Sequence, residues 1–305
     1  MREPLHHYMK VGIIHFMAYP ACMKGEGPVL ESLQTFIEDE FFQLVEMAPI
    51  TDPAVRKEAM ARAKAAKLTV GMAGQPVVLV NKLNLNSLDE AERQRAVDMI
   101  KGAIDEAAEG GMKRIAVLSG RDPGPEHRQA AMAALATSLK ALCNYAAGFG
   151  MEFALEVFDQ VVDKCALVGP VETAVQIAGM VKPECPNFGL MVDLSHLPLL
   201  GETPRQALLP VKDYLMHIHI GNAAFRDKAH PAWGDQHPRF GVEGGENDVA
   251  ELVEFLRVLL EIGYLSADKQ DLPAVSFEVK PMPGEDVKIV IANAKRTLME
   301  AWRLA

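Results

Sequence analysis

At 305 residues, with 49% hydrophobic and 24% charged positions, the chain has the size and composition of a globular protein with a large core. A net charge of −10, from 41 acidic against 31 basic residues, counts against a nucleic-acid partner, because phosphate-backbone affinity comes from clustered Lys and Arg. The four cysteines (Cys22, Cys143, Cys165, Cys185) form no CxxC pair and read as thiols, and no apolar run approaches the roughly 18 residues of a membrane span.

The N-terminal decapeptide carries His6 and His7 but no apolar signal core, so a cytoplasmic protein without a membrane partner is expected. From there, short apolar runs alternate with longer helical patterns, the signature of βαβ units and a parallel sheet. In chain order the predicted strands are residues 11–16, 42–47, 68–71, 114–118, 153–157, 189–193, 214–219 and 274–279. They are rich in β-branched residues or Leu with little alternation, as strands covered on both faces should be. Between them, Ser87-Leu-Asp-Glu90 reads as a capping box opening a helix that runs to Glu109, before Gly110-Gly111. Residues 128–148 are Ala-rich and end on a Gly; residues 248–262 are amphipathic, with Asp248 as N-cap and Gly263 as the stop.

Eight such units predict an α/β fold, a closed (β/α)8 barrel in one domain spanning 1–305; no Pro/Gly/Ser-rich stretch divides the chain, and no GxGxxG follows the first strand to favour an open doubly wound sheet. The longest irregular stretch, residues 220–247, follows the seventh strand and carries His230, Trp233, Asp235 and His237. Its place after a barrel strand puts it on the catalytic face, and connectors of that length are often active-site loops. As a residue of an exposed loop, His237 is expected to matter to kinetics more than to stability.

The last four strands each finish on a metal-binding residue type: Glu156 in Phe-Ala-Leu-Glu-Val, Asp193 in Leu-Met-Val-Asp-Leu-Ser-His196, His217 and His219 in Met-His-Ile-His-Ile, and Glu278 in Val-Ser-Phe-Glu-Val-Lys280. Barrel strands aim their final side chains at a common point, and a carboxylate buried among apolar neighbours is costly unless paired or metal-bound. A single strand-end carboxylate is more often a salt-bridge partner or a helix cap, but four in register are hard to explain structurally. Glu156, Asp193, His219 and Glu278 together offer three carboxylates and one imidazole, a set suited to one divalent ion, manganese first, with cobalt, magnesium or zinc as alternatives.

These motifs resemble the xylose-isomerase-like TIM-barrel superfamily, which includes sugar epimerases and endonuclease IV. Asp193-Leu-Ser-His196 matches its D-x-x-H motif and His217-Ile-His219-Ile-Gly221 its H-x-H-x-G motif, whereas Gly244-Gly-Glu-Asn-Asp248 resembles the family's G-x-G-x-x-D turn without its spacing. The resemblance implies metal ligands at Glu156, Asp193, His219 and Glu278, with a substrate histidine at His196. The arginine that ketose 3-epimerases carry six residues after the ligand histidine is Phe225 here, with Arg226 beside it, and their second glutamate is Val162.

The chemistry expected is proton abstraction next to a carbonyl, through an enediolate, by a sugar isomerase or epimerase with Glu156 and Glu278 as the acid–base pair. His196, His15, His217, Arg226 and His237 are the expected substrate contacts. The main rival is the catalytic subunit of a C-glycoside deglycosidase, a lyase that cleaves a carbon–carbon bond of a 3-oxo-glucoside and works with a small β-rich partner subunit. Residues 12–17 and 230–237 would then hold an aromatic aglycone; a homo-oligomer is the other possible assembly. Endonuclease IV-like repair is disfavoured by the charge and by the absence of histidines at the ends of strands three and four, and a non-catalytic sugar-binding protein by the presence of both glutamates. His230, Asp235 and His237 form a weaker candidate for a second metal site.

Overall fold

In a computed structural model describing residues 3–305, eight parallel strands close into a barrel in sequential order, β8 pairing with β1. The strands are β1 (Lys10–Ile14), β2 (Leu44–Met47), β3 (Thr69–Ala73), β4 (Arg114–Leu118), β5 (Glu152–Glu156), β6 (Phe188–Asp193), β7 (Leu215–Gly221) and β8 (Ala274–Glu278). Every predicted strand is present, with ends shifted by a few residues. No helix among the described residues is long and apolar enough to cross a membrane.

Strand periodicity explains the division of labour inside the barrel. Side chains alternate between faces, so Phe153, Leu155, Leu190, Val192, Ile218, Ile220, Val275 and Phe277 pack outward into the main core shared with the helices. Their neighbours turn inward. Ala116, Ala154 and Met191 form a small interior layer with Met216 against it. Above that layer the same inward parity brings Glu156, Asp193, His219 and Glu278 to the C-terminal rim. The register aligns them: Asp193 lies opposite His219, and Gly221 opposite Glu278.

The helices largely follow the sequence reading. Arg128–Ala147 and Val249–Glu261 form, the latter with Asp248 and Glu251 in a reciprocal capping box. The expected box at Ser87 moves by two residues. The helix Glu90–Glu109 is capped by Asp89, whose side chain accepts from the Glu92 amide, while the Ser87 hydroxyl accepts from the Asp89 amide at 3.1 Å. An aspartate at the N-cap is as effective as a serine, and here it lies closer to the first helical residue.

Candidate metal centre at the C-terminal rim

Glu156, Asp193, His219 and Glu278 converge so that one donor atom from each lies within 4.8 Å of the others. Four atoms at that spacing fit around one ion at the roughly 2.0–2.6 Å usual for divalent cations. The unsatisfied atoms point the same way. Glu156 Oε1 and Asp193 Oδ2 are buried with no hydrogen-bond partner, and buried oxygens are rarely left so. A divalent ion would satisfy both. Burial raises the Asp193 carboxyl above its ordinary range; the charge of Glu278 adds to the rise, and His196, His237 and His219 oppose it without cancelling it.

A polar shell holds these side chains in place. Gln75, from the segment after β3, donates to Glu156 Oε2 at 2.8 Å. His219 presents Nδ1 to Glu278 Oε2 at 2.9 Å, and its Nε2 lies 3.2 Å from Glu46 Oε2. Burial disfavours the charged imidazole, but the Glu46 charge and the carboxylate contacts outweigh it and raise His219 well above the ordinary histidine value. The reverse balance holds Glu46 well below the carboxylate range: burial opposes ionisation, and His217 and His219 overcome it.

The loop after β7 closes over the centre and is packed, which corrects the expectation for His237. That residue is 2% exposed, with Nε2 2.7 Å from Asp235 Oδ1 and 3.4 Å from Glu278 Oε1. Its backbone is held at φ +51°, a left-handed conformation costly for a residue with a Cβ. Gly221 of the H-x-H-x-G motif makes the approach possible, since an added Cβ would sit 2.5 Å from the Glu278 carbonyl oxygen and 3.2 Å from His237 Nδ1. Asp235 is the hub of the loop. It meets Lys164 Nζ at 2.8 Å, His196 Nε2 at 3.1 Å and His237 Nε2 at 2.7 Å. Burial opposes its charge, but His237, Lys164 and His196 hold its carboxyl well below the ordinary range.

The other expected contacts separate. His196 is buried beside Asp193 and His237, but both its nitrogens are engaged, Nδ1 donating to the Val157 carbonyl at 2.7 Å and Nε2 meeting Asp235, with Phe158 against its ring. His15 does not reach the cavity. β1 stops at Ile14 and the chain turns into a short helix, His15–Ala18, that carries the imidazole to Ser32 Oγ at 2.8 Å and against Tyr19 and Phe36. Arg226 is 77% exposed and pairs with Glu246, because the loop turns it outward. His217 lies one inward position below His219, bound to Glu46 Oε1 at 2.8 Å and to Arg114 Nη1 at 3.0 Å. It therefore faces the N-terminal mouth, away from the metal cluster. His230 accepts from the Ala232 amide and binds the Glu243 carbonyl, so it joins no second metal site with Asp235 and His237. Trp233 donates to the Phe225 carbonyl as packing structure.

Glu46, Gln75, Lys164 and Lys280 are the residues that motif reading missed. Lys280 lines the cavity, with Gln236 Oε1 as its hydrogen-bond partner, and burial lowers its ammonium below the ordinary value. The cavity, about 290 Å³, is bounded on one side by Glu156, His219, His237, Glu278 and Lys280 and on the other by Ile14, Phe16, Met17, Pro76, Leu79 and Val80. A larger opening of about 490 Å³ lies at the opposite mouth, lined by Arg114, His217 and Tyr264. Barrel chemistry takes place at the C-terminal face, and Glu156, His219 and Glu278 of the cluster line the smaller cavity.

The fold is a closed parallel barrel, and at its C-terminal rim it carries a carboxylate–imidazole cup whose donor atoms could hold a metal ion. The family model for the xylose isomerase-like TIM barrel matches residues 36–294, and the chain belongs to that family. No curated protein matches the chain. Among solved structures it is similar to the D-psicose 3-epimerase of Clostridium cellulolyticum H10 with D-tagatose, at 17% identity, TM-score 0.71, covering 97% of this chain and 99% of that one. It is also similar to 3-keto-D-glucoside 4-epimerase from E. coli, at 20% identity, TM-score 0.62, covering 97% and 98%. A third likeness is to the IolI protein with a binding zinc atom, at 17% identity, TM-score 0.70, covering 96% and 98%. At such identities the likeness establishes the fold.

Proposed function

We propose that the protein is a divalent-metal-dependent sugar isomerase or epimerase that moves a proton at the carbon next to a carbonyl. The observation that carries this reading is the convergence of Glu156, Asp193, His219 and Glu278 with two buried carboxylate oxygens lacking partners. Glu156, Asp193, His219 and Glu278 would hold the ion, manganese being the first candidate, and the ion would polarise the substrate carbonyl and stabilise negative charge developing there. Glu156 and Glu278, from strands β5 and β8, flank the cup and are the candidates to take the proton and return it. The Asp235 hub fixes His237 over the cup and helps the loop exclude water. Lys280, on the cavity wall, is placed to hold a substrate oxygen. The epimerase and zinc-containing relatives are in keeping with this reading.

The apolar wall supports a second reading. Phe16 and Met17 line the cavity as expected for a substrate with an aromatic aglycone, with Leu79 and Val80 beyond them, although Trp233 and His230 do not. Such a wall would suit carbon–carbon cleavage of a 3-oxo-glucoside, which begins with loss of the same proton.

Both readings are tested by incubating the Mn²⁺-loaded protein in D₂O with ketohexoses and with 3-oxo-glucosides, following deuterium at the carbon next to the carbonyl by NMR. Exchange with a changed sugar configuration supports the epimerase, and release of the aglycone supports the lyase. Absence of exchange with every carbonyl sugar would overturn the proposed chemistry.

A further inference from the structure

Below the metal cup, four side chains join β2, β4 and β7 across the barrel interior. Arg114 Nη1 lies 3.0 Å from His217 Nδ1, His217 Nε2 lies 2.8 Å from Glu46 Oε1, and Glu46 Oε2 lies 3.2 Å from His219 Nε2. Glu46, His217 and His219 are all buried.

The donor–acceptor logic of this chain has one solution. Arginine only donates, so His217 Nδ1 must accept, and its proton sits on Nε2, directed at Glu46. That arrangement also argues against a second ion among Glu46, His217 and His219, because the nitrogen facing Glu46 carries a hydrogen. With one oxygen occupied by His217, the other oxygen of Glu46 accepts from His219 Nε2–H. His219 is then left with Nδ1 as its ligating nitrogen, facing Glu156 and Glu278.

We propose that Glu46 is a positioning residue for the metal centre, fixing His219 as the tautomer whose Nδ1 lone pair faces the cation, and that Arg114 and His217 hold Glu46 in that role. The inference rests on the four-ligand reading of the cup. A carboxylate behind a ligating histidine sets ring orientation and basicity, and its removal typically weakens metal binding about 10–100-fold.

Glu46→Gln makes the logic testable, because an amide offers one acceptor and one donor. Its NH₂ cannot face His217 Nε2–H, since His217 cannot change tautomer while Arg114 donates to Nδ1. The NH₂ therefore faces His219, forces Nε2 to accept, and places the proton on Nδ1, where it blocks ligation. Adding Arg114→Met frees His217 to change tautomer, its Nδ1–H reaching solvent in the cavity of about 490 Å³ that both residues line. The amide can then turn its oxygen to His219.

The experiment is titration of Mn²⁺ into the full chain by EPR for wild type, Glu46→Gln, Glu46→Asp and Glu46→Gln/Arg114→Met, with melting curves on each. NMR of the Zn²⁺-loaded proteins reads the His219 Nε2–H. The expected result is Mn²⁺ binding weakened about 10–100-fold in Glu46→Gln and weakened in Glu46→Asp, whose oxygens are withdrawn by one methylene. The double variant should recover most of the loss and the Nε2–H signal. A folded Glu46 variant binding within threefold of wild type, or a double variant no tighter than Glu46→Gln, would overturn the proposal. A wild-type protein that takes up no ion would instead overturn the reading of the cup.

Discussion

The two halves of the barrel rim differ in kind. β5, β6 and β8 end on Glu156, Asp193 and Glu278, and β7 carries His219 two residues before its end, whereas the rim of β1 to β4 and the segments beyond it present Ile14, Phe16, Met17, Pro76, Leu79 and Val80 to the cavity that Glu156, His219 and Glu278 line. One half gathers carboxylates and imidazoles; the other is apolar and, under the proposed function, would face the non-reacting part of a substrate. Polar side chains tie the two halves together at the cup. Gln75 reaches Glu156 from after β3, and Glu46 reaches His219 from β2. In such a division, changes in the polar half should act on catalysis, and changes in the apolar half on substrate range.

The largest effect expected is on turnover. Glu278→Gln should lower kcat by about 10²–10⁴-fold, the usual contribution of a positioned acid or base, while Mn²⁺ still binds through the remaining ligands and the amide oxygen. Parallel kinetics and metal titration check this. Activity near wild type would remove Glu278 from the acid–base pair and leave the polar half with a ligand role only.

Next in size is the closure of the polar half. His237→Ala removes a buried partner of Asp235 at a position held at φ +51°, where Ala relieves no strain. A loss of about 2 kcal/mol is expected for a broken buried network, read as a lower Tm together with reduced kcat. A Tm unchanged beside normal kinetics would show that the loop is not part of the centre.

On the apolar side, His15 gives a smaller and pH-dependent effect. Burial lowers its imidazole from 6.5 to about 4, so it is neutral in the folded protein over a range in which the unfolded chain takes up a proton. Its contribution to stability is therefore complete above pH 6.5 and is lost as pH falls from 6.5 through 4, by up to about 3 kcal/mol. His15→Gln should flatten the stability profile in that window and leave kcat unchanged. Urea unfolding at several pH values tests it, and an unchanged slope would contradict the account of a buried neutral His15.

The same contrast explains what was legible in the sequence. The strands were, because apolar runs such as Phe-Ala-Leu and Leu-Met-Val must be buried on both faces. The four rim residues were, because strand ends in a barrel converge regardless of loop detail. His15 could have been placed by parity: Ile13 packs outward and Ile14 inward, so a side chain one further on turns away from the cup. Glu46 carried a signal too, a carboxylate inside the apolar run Leu44-Val-Glu-Met47. Gln75, Lys164 and the burial of His237 carried none: Gln75 opens the short helix Gln75–Val80, and the packing of the irregular segments after β5 and β7 sets Lys164 and His237. Arg226 shows the converse, a residue type suited to substrate binding that the loop turns to solvent.

Under the proposed function the polar half holds a single divalent ion through one residue from each of its four strands. The direct measurement is a crystal structure of the Mn²⁺-loaded protein with anomalous scattering recorded at the manganese edge. One peak is expected at the rim, about 2.0–2.6 Å from atoms of Glu156, Asp193, His219 and Glu278. A peak held instead by Glu46 and His217, or no peak at the rim with the four side chains spread more than about 6 Å apart, well beyond any shared coordination sphere, would contradict it.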